Sequence, residues 1–215
     1  MADKHHYDFN LNLEHSSNAH RIEMDLIGQN AHLLDVGCHT GIMGEALRLQ
    51  KQAMVIGIDT DVEALAVART RLQAALHVNV ESEYWVEELL QEGYRNFDVI
   101  LFGDVLEHTQ HPERILDEAR KLLKPEGLVI VSIPNVAHWR IRFGLLFGRF
   151  VYTDSGILDK THLRFFTHKS AVDLLKNSGY VLNSFDVAGY ALPHWLLRLF
   201  PGLLAIQFVM SASRK

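Results

Sequence analysis

The sequence predicts a single α/β domain in which a mostly parallel sheet is covered by helices on both faces. Three observations predict it. Short, nearly continuous apolar runs alternate with amphipathic stretches from residue 32 to residue 133, the pattern of strands buried on both sides. The first run, His32–Val36, ends in Gly37, and glycine there allows positive φ and close approach of a ligand. The second, over 53–59, ends in Asp59, whose carboxylate can accept hydrogen bonds from both hydroxyls of a ribose.

The elements follow in order. Ser16 or Ser17 is the expected N-cap of a helix over 17–27. After the strand at 32–36, residues 42–51 form a helix with Ile42, Ala46, Leu47 and Leu49 on its apolar side. A strand at 53–59, a helix at 61–75, a strand at 76–80, a helix at 84–91 and a strand at 97–102 continue the alternation. The helix over 112–123 begins on Pro112, which the first turn tolerates. Lys124-Pro125-Glu126-Gly127 reads as a turn before a strand at 128–133. Residues 134–168 lack clean periodicity and form an insertion. A helix at 170–177 and strands at 180–188 and 204–213 complete the chain. With no helix of reliable length between those two strands, they can pair antiparallel. No repeat or linker divides the sequence, so 1–215 is read as one domain.

Composition narrows the functional classes. The chain has 215 residues, 48% of them hydrophobic, and a net charge of −5, which argues against a nucleic-acid groove. One cysteine excludes a disulfide framework and a Cys-based zinc site, and points to a reducing, cytoplasmic compartment. The only adjacent histidine pair is His5-His6 and no His-Glu-x-x-His occurs, so no metal is expected. The N-terminus lacks the apolar core of a signal peptide. The apolar stretch 192–210 is broken by His194, Arg198, Pro201 and Gly202, too often for a spanning helix.

The strongest signal is Leu33-Leu34-Asp35-Val36-Gly37-Cys38-His39-Thr40-Gly41. Its spacing, Gly37-x-x-x-Gly41-x-x-Gly44, departs from the G-x-G-x-x-G of dinucleotide sites, which disfavours a nicotinamide oxidoreductase. Asp35, two residues before the first glycine, would repel a pyrophosphate but can pair with an ammonium. That combination favours S-adenosylmethionine, an adenosine joined to an amino acid without phosphate. From about residue 7 onward the sequence resembles the class I S-adenosylmethionine-dependent methyltransferases, in particular bacterial small-molecule enzymes of ubiquinone-biosynthesis and O-antigen type. The matching pieces are the motif above, Gly57-Ile58-Asp59, Phe97-Asp98-Val99-Ile100 running on to Asp104-Val105-Leu106-Glu107-His108, and Leu122-Leu123-Lys124-Pro125-Glu126-Gly127.

The resemblance implies a Rossmann-like seven-stranded sheet of order 3-2-1-4-5-7-6 with the seventh strand antiparallel. It implies that Asp35, Gly37 and Gly41 flank the methionine part of the cofactor and that Asp59, with Thr60, holds the ribose. Glu81, or Glu83 in another register, would reach the adenine, and Gly103 and Asp104 complete the floor. Two positions depart from the family pattern: His39 replaces its middle glycine, and the third strand carries His77 and Asn79 without the usual Asp.

The acceptor must lie in the loops beyond the carboxyl ends of strands four and five. If it is a hydroxyl, a histidine near its proton is the natural base. His108 is one candidate. Asp159 and His162, three apart, would share the face of a helical turn and form another. Asn135, His138, Trp139 and Arg164 are candidate acceptor contacts. The stretch 140–150 mixes three arginines with aromatic and aliphatic residues, so 134–168 is read as an acceptor-side lid. It could cover a lipid-linked small molecule, rest on an anionic membrane surface, or pack on a second copy of the chain. The leading expectation is oxygen methylation. Nitrogen or carbon methylation, or non-catalytic cofactor binding, remain as alternatives that the shape of the acceptor pocket would separate.

Overall fold

The computed structural model describes residues 11, 13, 15–189 and 192–215. Most of the polar, His-rich opening segment therefore lies outside the described residues. The elements are α1 (Ala19–Leu26), β1 (His32–Val36), α2 (Ile42–Lys51), β2 (Met54–Asp59), α3 (Val62–Arg71), β3 (Ala74–His77), α4 (Trp85–Gln91), β4 (Phe97–Gly103) and α5 (Pro112–Ala119). They continue with β5 (Leu123–Pro134), α6 (Trp139–Leu146), α7 (His168–Asn177), β6 (Tyr180–Ala188), α8 (His194–Leu199), α9 (Pro201–Leu204) and β7 (Gln207–Arg214). A 3-10 turn, Leu106–His108, follows β4. The sheet order is β3-β2-β1-β4-β5-β7-β6, with β7 antiparallel to both neighbours.

Strand alternation builds a core on each face of this sheet. Leu34, Val36, Ile100 and Phe102 point into one cluster, Leu33, Val99 and Leu101 into the other. The second cluster is closed by Ile22 and Met24 of α1 and Leu47 of α2. Asp35 shares the face of Leu33, so the fold presses a carboxylate against α1. Strand order reverses between β1 and β4, which opens a crevice at their carboxyl ends.

The structure corrects several boundaries. Asn18, not Ser16 or Ser17, caps α1, its Oδ1 accepting the His20 N–H at 2.9 Å. The third strand begins at Ala74 rather than 76, because Ile56↔Ala74 starts its parallel pairing with β2, and this overrides the helical propensity that predicted helix through Ala75. Likewise α5 stops at Ala119 and Lys124-Pro125-Glu126-Gly127 belongs to β5. Leu123 already pairs with Phe97, and a register shift before Val99 absorbs the irregular residues. Helix α7 starts at His168, held by a capping box in which Thr167 and Ser170 each bond the other's backbone N–H. Between β6 and β7, where no helix of reliable length was expected, stand the short helices α8 and α9, with Pro201 at the first turn of α9, and β7 starts at Gln207 rather than 204. No helix among the described residues is long and apolar enough to cross a membrane.

Segment 134–168 contains α6 and then an extended return. Val136 N–H bonds the Phe166 carbonyl at 2.9 Å, and the N–H groups of Leu163 and Arg164 both donate to the Glu107 carbonyl, at 2.8 and 3.0 Å. Asn135 locks the start of this segment: its Nδ2 donates to the Ala205 carbonyl at 2.8 Å, and its Oδ1 accepts the Ala137 N–H at 3.0 Å. Asn135 is fully buried, so its removal strands both partners. Asn135→Ala is expected to cost about 2–3 kcal/mol in chemical denaturation while leaving cofactor affinity unchanged, because the side chain spends itself on backbone.

Candidate active site

A cavity of about 680 Å³ occupies the crevice, lined by the carboxyl ends of β1, β2 and β4 and the loops that follow β3 and β4. Its floor is the turn after β1. The N–H groups of Gly37 and Cys38 donate to the Ile58 carbonyl at 2.8 and 3.1 Å, which pins that turn to the end of β2. Gly37 has φ +71°, and a Cβ there would lie 2.6 Å from Val105 Cγ2, so backbone and space both demand glycine. His39 adopts φ +47°, the left-handed conformation that explains how it can stand at the family's middle glycine.

At one end of the cavity the polar groups are already ordered. Asp59 Oδ2 accepts the His39 N–H at 2.8 Å and Oδ1 the Asp61 N–H at 2.9 Å. A carboxylate has about four acceptor positions, so two remain for a diol. Glu81 Oε1 accepts the Gln110 N–H at 2.8 Å, and Arg114 of α5 holds this loop by donating to the Glu81 carbonyl at 2.9 Å. Thr60, Asn79 and Glu81 line the wall. Glu83 is not among the lining residues.

The other end is crowded with buried acids. Asp35 Oδ2 and Glu23 Oε1 have no hydrogen-bond partner, and both residues line the cavity. Burial, reinforced by Glu23 and Asp59, pushes the Asp35 carboxyl up to about 7. Burial and Glu23 likewise raise Asp104 to about 6, although Ser132 and the Gln207 amide bond it. His20 Nδ1 lies 3.2 Å from Glu23 Oε2; burial alone would lower its pKa, but the Glu23 hydrogen bond and charge outweigh that and raise it. Gly103 brings the β4 backbone against Glu23, whose Oε1 would be 3.5 Å from a Cβ there.

His108 stands at the wall of the same cavity. Its Nδ1 is 3.3 Å from the Thr161 carbonyl and 3.1 Å from Thr161 Oγ1, while the Thr161 hydroxyl donates to Asp159 Oδ1 at 2.7 Å. Because that hydroxyl gives its proton to Asp159, it accepts from His108 Nδ1–H. The imidazole is thus held in the tautomer with a lone pair on Nε2. Burial lowers the His108 pKa and also that of His162, whose ring lies edge-on at 4.7 Å from that of His108. Burial alone would raise Asp159, but its bonds from Thr161 and the nearby His162 and His108 hold it below the usual carboxylate range.

The remaining candidates lie elsewhere. Gly41 opens α2 at φ +76° and faces Ala68 of α3 and Leu72 at its C-cap, not the cavity. Asp159 and His162 reach the cavity only through Thr161 and His108. His138 caps α6 and lines a separate cavity of about 370 Å³. Trp139 is exposed, with the Arg140 guanidinium 5.5 Å from its ring centroid. Arg164 Nε donates to the Gln110 carbonyl at 3.1 Å and ties its loop to the segment after the 3-10 turn. Glu23, His20 and Thr161 were missed by sequence reasoning. Glu23 sits in an amphipathic helix with no motif around it, and only its presence among Ile22 and Met24 on a buried helix face could have flagged it.

This fold and crevice define a class I methyltransferase. A methyltransferase-domain profile matches residues 11–184, and the chain belongs to that family. The ubiquinone biosynthesis O-methyltransferase of Neisseria meningitidis serogroup A is 38% identical over 114 residues, 52% of this chain and 46% of that protein. That of Histophilus somni is 40% identical over 107 residues, 48% of this chain and 44% of that protein. The chain spans about half the length of these curated relatives. In three dimensions it resembles an S-adenosylmethionine-dependent methyltransferase from Methanosarcina mazei, with TM-score 0.63 at 20% identity over 90% of this chain and 96% of that one.

S-adenosylmethionine is the cofactor of this family, and the residues present fit it. Two buried carboxylate oxygens without partners, Asp35 Oδ2 and Glu23 Oε1, meet the need of an ammonium, and Asp59 offers free acceptor positions for a ribose diol. Between pH about 4 and 7 the folded protein holds a proton on Asp35 that the unfolded chain has released, so ligand-free stability falls as pH rises through that window. Asp35→Asn is therefore expected to raise the ligand-free melting temperature at pH 8 by roughly 2–8 °C while weakening S-adenosylmethionine at least about tenfold by calorimetry. Asp59→Ala should weaken the cofactor by a similar factor without that gain in melting temperature. Wild-type affinity in either variant contradicts the assignment.

Proposed function

We propose that the protein transfers a methyl group from S-adenosylmethionine to a hydroxyl oxygen of a small, apolar or lipid-linked acceptor. The observation that carries this reading is His108 at the cavity wall, oriented through Thr161 by Asp159. The cofactor, when bound, supplies a methyl group already activated on a sulfonium. The chain's own task is to align the acceptor, keep the site dry and relieve the hydroxyl of its proton. Burial keeps His108 neutral near pH 7, and its Nε2 lone pair is free to receive that proton. No described residue of 134–168 lines the cavity, so space for an acceptor persists beside the floor, which favours turnover over a non-catalytic binding role. The names of the curated relatives support oxygen as the methylated atom and a quinone-like acceptor.

The outer surface supports an apolar acceptor drawn from an anionic bilayer. Phe143 and Leu146 of α6, Phe147 at its C-cap, and Trp195 and Leu199 of α8 are exposed. Arg142 joins α6 to α9 by donating to the Gly202 carbonyl at 3.2 Å. Arg140, Arg142 and Arg149, all exposed, put positive charge on and just beyond α6 in a chain whose net charge is −5. Aromatic side chains flanked by arginines suit the boundary between headgroups and acyl chains.

A radiolabelled methyl-transfer screen against fractionated extract tests the activity. His108→Gln should lower kcat about 10²–10⁴-fold with cofactor affinity within about threefold of wild type. The wild-type rate should rise with pH through an apparent pKa below 6.5 and then level off, since only the neutral imidazole works. Thr161→Val should lower kcat and move that pKa, and Thr161→Ser should restore both. Co-sedimentation should show binding to vesicles containing phosphatidylglycerol, released by high salt and lost in Phe143→Ser/Phe147→Ser. Vesicle-independent dimerisation through α6 would assign the face to a second copy instead.

A further inference from the structure

We infer that Glu23 of α1 selects S-adenosylmethionine over its demethylated product by charge. The sulfonium of the cofactor is positive, and the thioether that remains after methyl transfer is neutral. The inference rests on the cofactor and not on which acceptor atom is methylated.

The charge balance of the cavity carries it. Glu23, Asp35, Asp59, Asp61, Glu81 and Asp104 all line it, and no lysine or arginine stands among the described lining residues. Glu23 is 1% exposed, and its two oxygens are used differently. Oε2 lies 3.2 Å from His20 Nδ1, whereas Oε1 is buried with no hydrogen-bond partner. The carboxylate packs on the end of β4, with Oε1 3.5 Å from where a Cβ of Gly103 would stand. From there its charge acts both on Asp35 of β1 and on Asp104 after β4.

An ammonium alone does not satisfy this end of the cavity. It offers one positive charge to two buried oxygens without partners, Asp35 Oδ2 and Glu23 Oε1, with Asp104 near them. The sulfonium brings a second positive charge. It stands on the chain of atoms that joins the amino acid to the ribose, so a ligand spanning Asp35 and Asp59 keeps it within the acid-lined cavity. Charges buried away from water are weakly screened, and the loss of one is strongly felt. When the methyl group leaves, the bonding electrons stay on sulfur and Glu23 loses its counter-charge. Product is then held less tightly than cofactor, which favours turnover.

Proton release follows from the same charges. Burial and neighbouring acids raise Asp35 to about 7 and Asp104 to about 6, and Glu23 contributes to both. His20 opposes both shifts from α1, Asp59 of β2 adds to that of Asp35, and Glu107 interacts with Asp104 and Glu23. A bound cation favours the ionised carboxylates, so binding at about pH 6.5 drives protons off. The cofactor, with two positive charges, releases more of them than its product.

The test uses the full chain and calorimetry with S-adenosylmethionine, S-adenosylhomocysteine and sinefungin, which carries a protonated amine at the sulfonium position. At about pH 6.5 the wild type should bind the first and third at least about tenfold more tightly than S-adenosylhomocysteine. Titrations in buffers of different ionisation enthalpy should show greater proton release with those two ligands. Glu23→Gln keeps the shape of the side chain and removes its charge, while Asp35 remains to pair the ammonium common to all three. It should weaken the two cationic ligands about tenfold, leave S-adenosylhomocysteine within about threefold, and bring the ratio close to one. The variant should melt no lower than wild type without ligand, because a buried charge has been removed. Equal affinity of the wild type for all three ligands, or an unchanged ratio in Glu23→Gln, overturns the inference and leaves the cofactor assignment standing. Equal weakening of all three in the variant marks Glu23 as structural and overturns it too. Binding of none of them by the wild type overturns the cofactor assignment itself.

Discussion

A cluster of buried carboxyl groups at the carboxyl ends of β1 and β4 organises this protein. Glu23, Asp35, Asp104 and Glu107 are brought there by a helix, a strand and the loop that follows β4, and together they outnumber the cations near them. Burial, with Asp104 foremost among its neighbours, pushes Glu107 well above the usual carboxylate range. A hydrophobic core alone would not tolerate such a group, because the cost of removing a carboxylate from water exceeds what neutral surroundings return. The sheet pays this cost at the crevice where its strand order reverses, the one place in a doubly wound fold where ligands meet strand ends. Strain accompanies it, in the left-handed backbone of His39 and Asp104.

The two ends of the crevice handle that charge differently. Around Asp59 and Glu81, backbone N–H groups already bond the carboxylates, so these groups are fixed before any ligand arrives. Preorganisation of this kind lowers the ordering cost of binding. Around Asp35 and Glu23 the acceptors are unsatisfied, and the protein gains most there from a positively charged ligand group. The acceptor side is assembled from two distant stretches, 106–110 and 159–166, joined by main-chain bonds to Glu107 and by Thr161. A change in either stretch would therefore be felt at His108.

The likeness to solved methyltransferases at low sequence identity establishes architecture, and the chemistry has to be argued from the site. Here the site separates the roles. The first-strand turn and the ends of β2 and β4 form the floor of the cavity, and His108 with its supports forms part of its wall. Asn135, His138 and Arg164, polar residues in the loops where an acceptor would be expected, instead stitch backbone together. Each closes a hydrogen bond that a long irregular segment would otherwise leave open.

The sequence by itself determined the sheet, the glycine turn that ends its first strand and the acid that ends its second. Those features are local: apolar runs of strand length, glycine where φ must be positive, and an acid at a strand end. It misplaced the start of β3, the break in β5 and the helices before β7, where strand pairing or tertiary packing overrode the propensity of a few residues. Glu23, Thr161 and the meeting of Glu107 with His162 were decided only by tertiary structure. Their significance lies in which side chains become neighbours across the fold and which are buried without partners, and neither property is written in the spacing of residues along a chain.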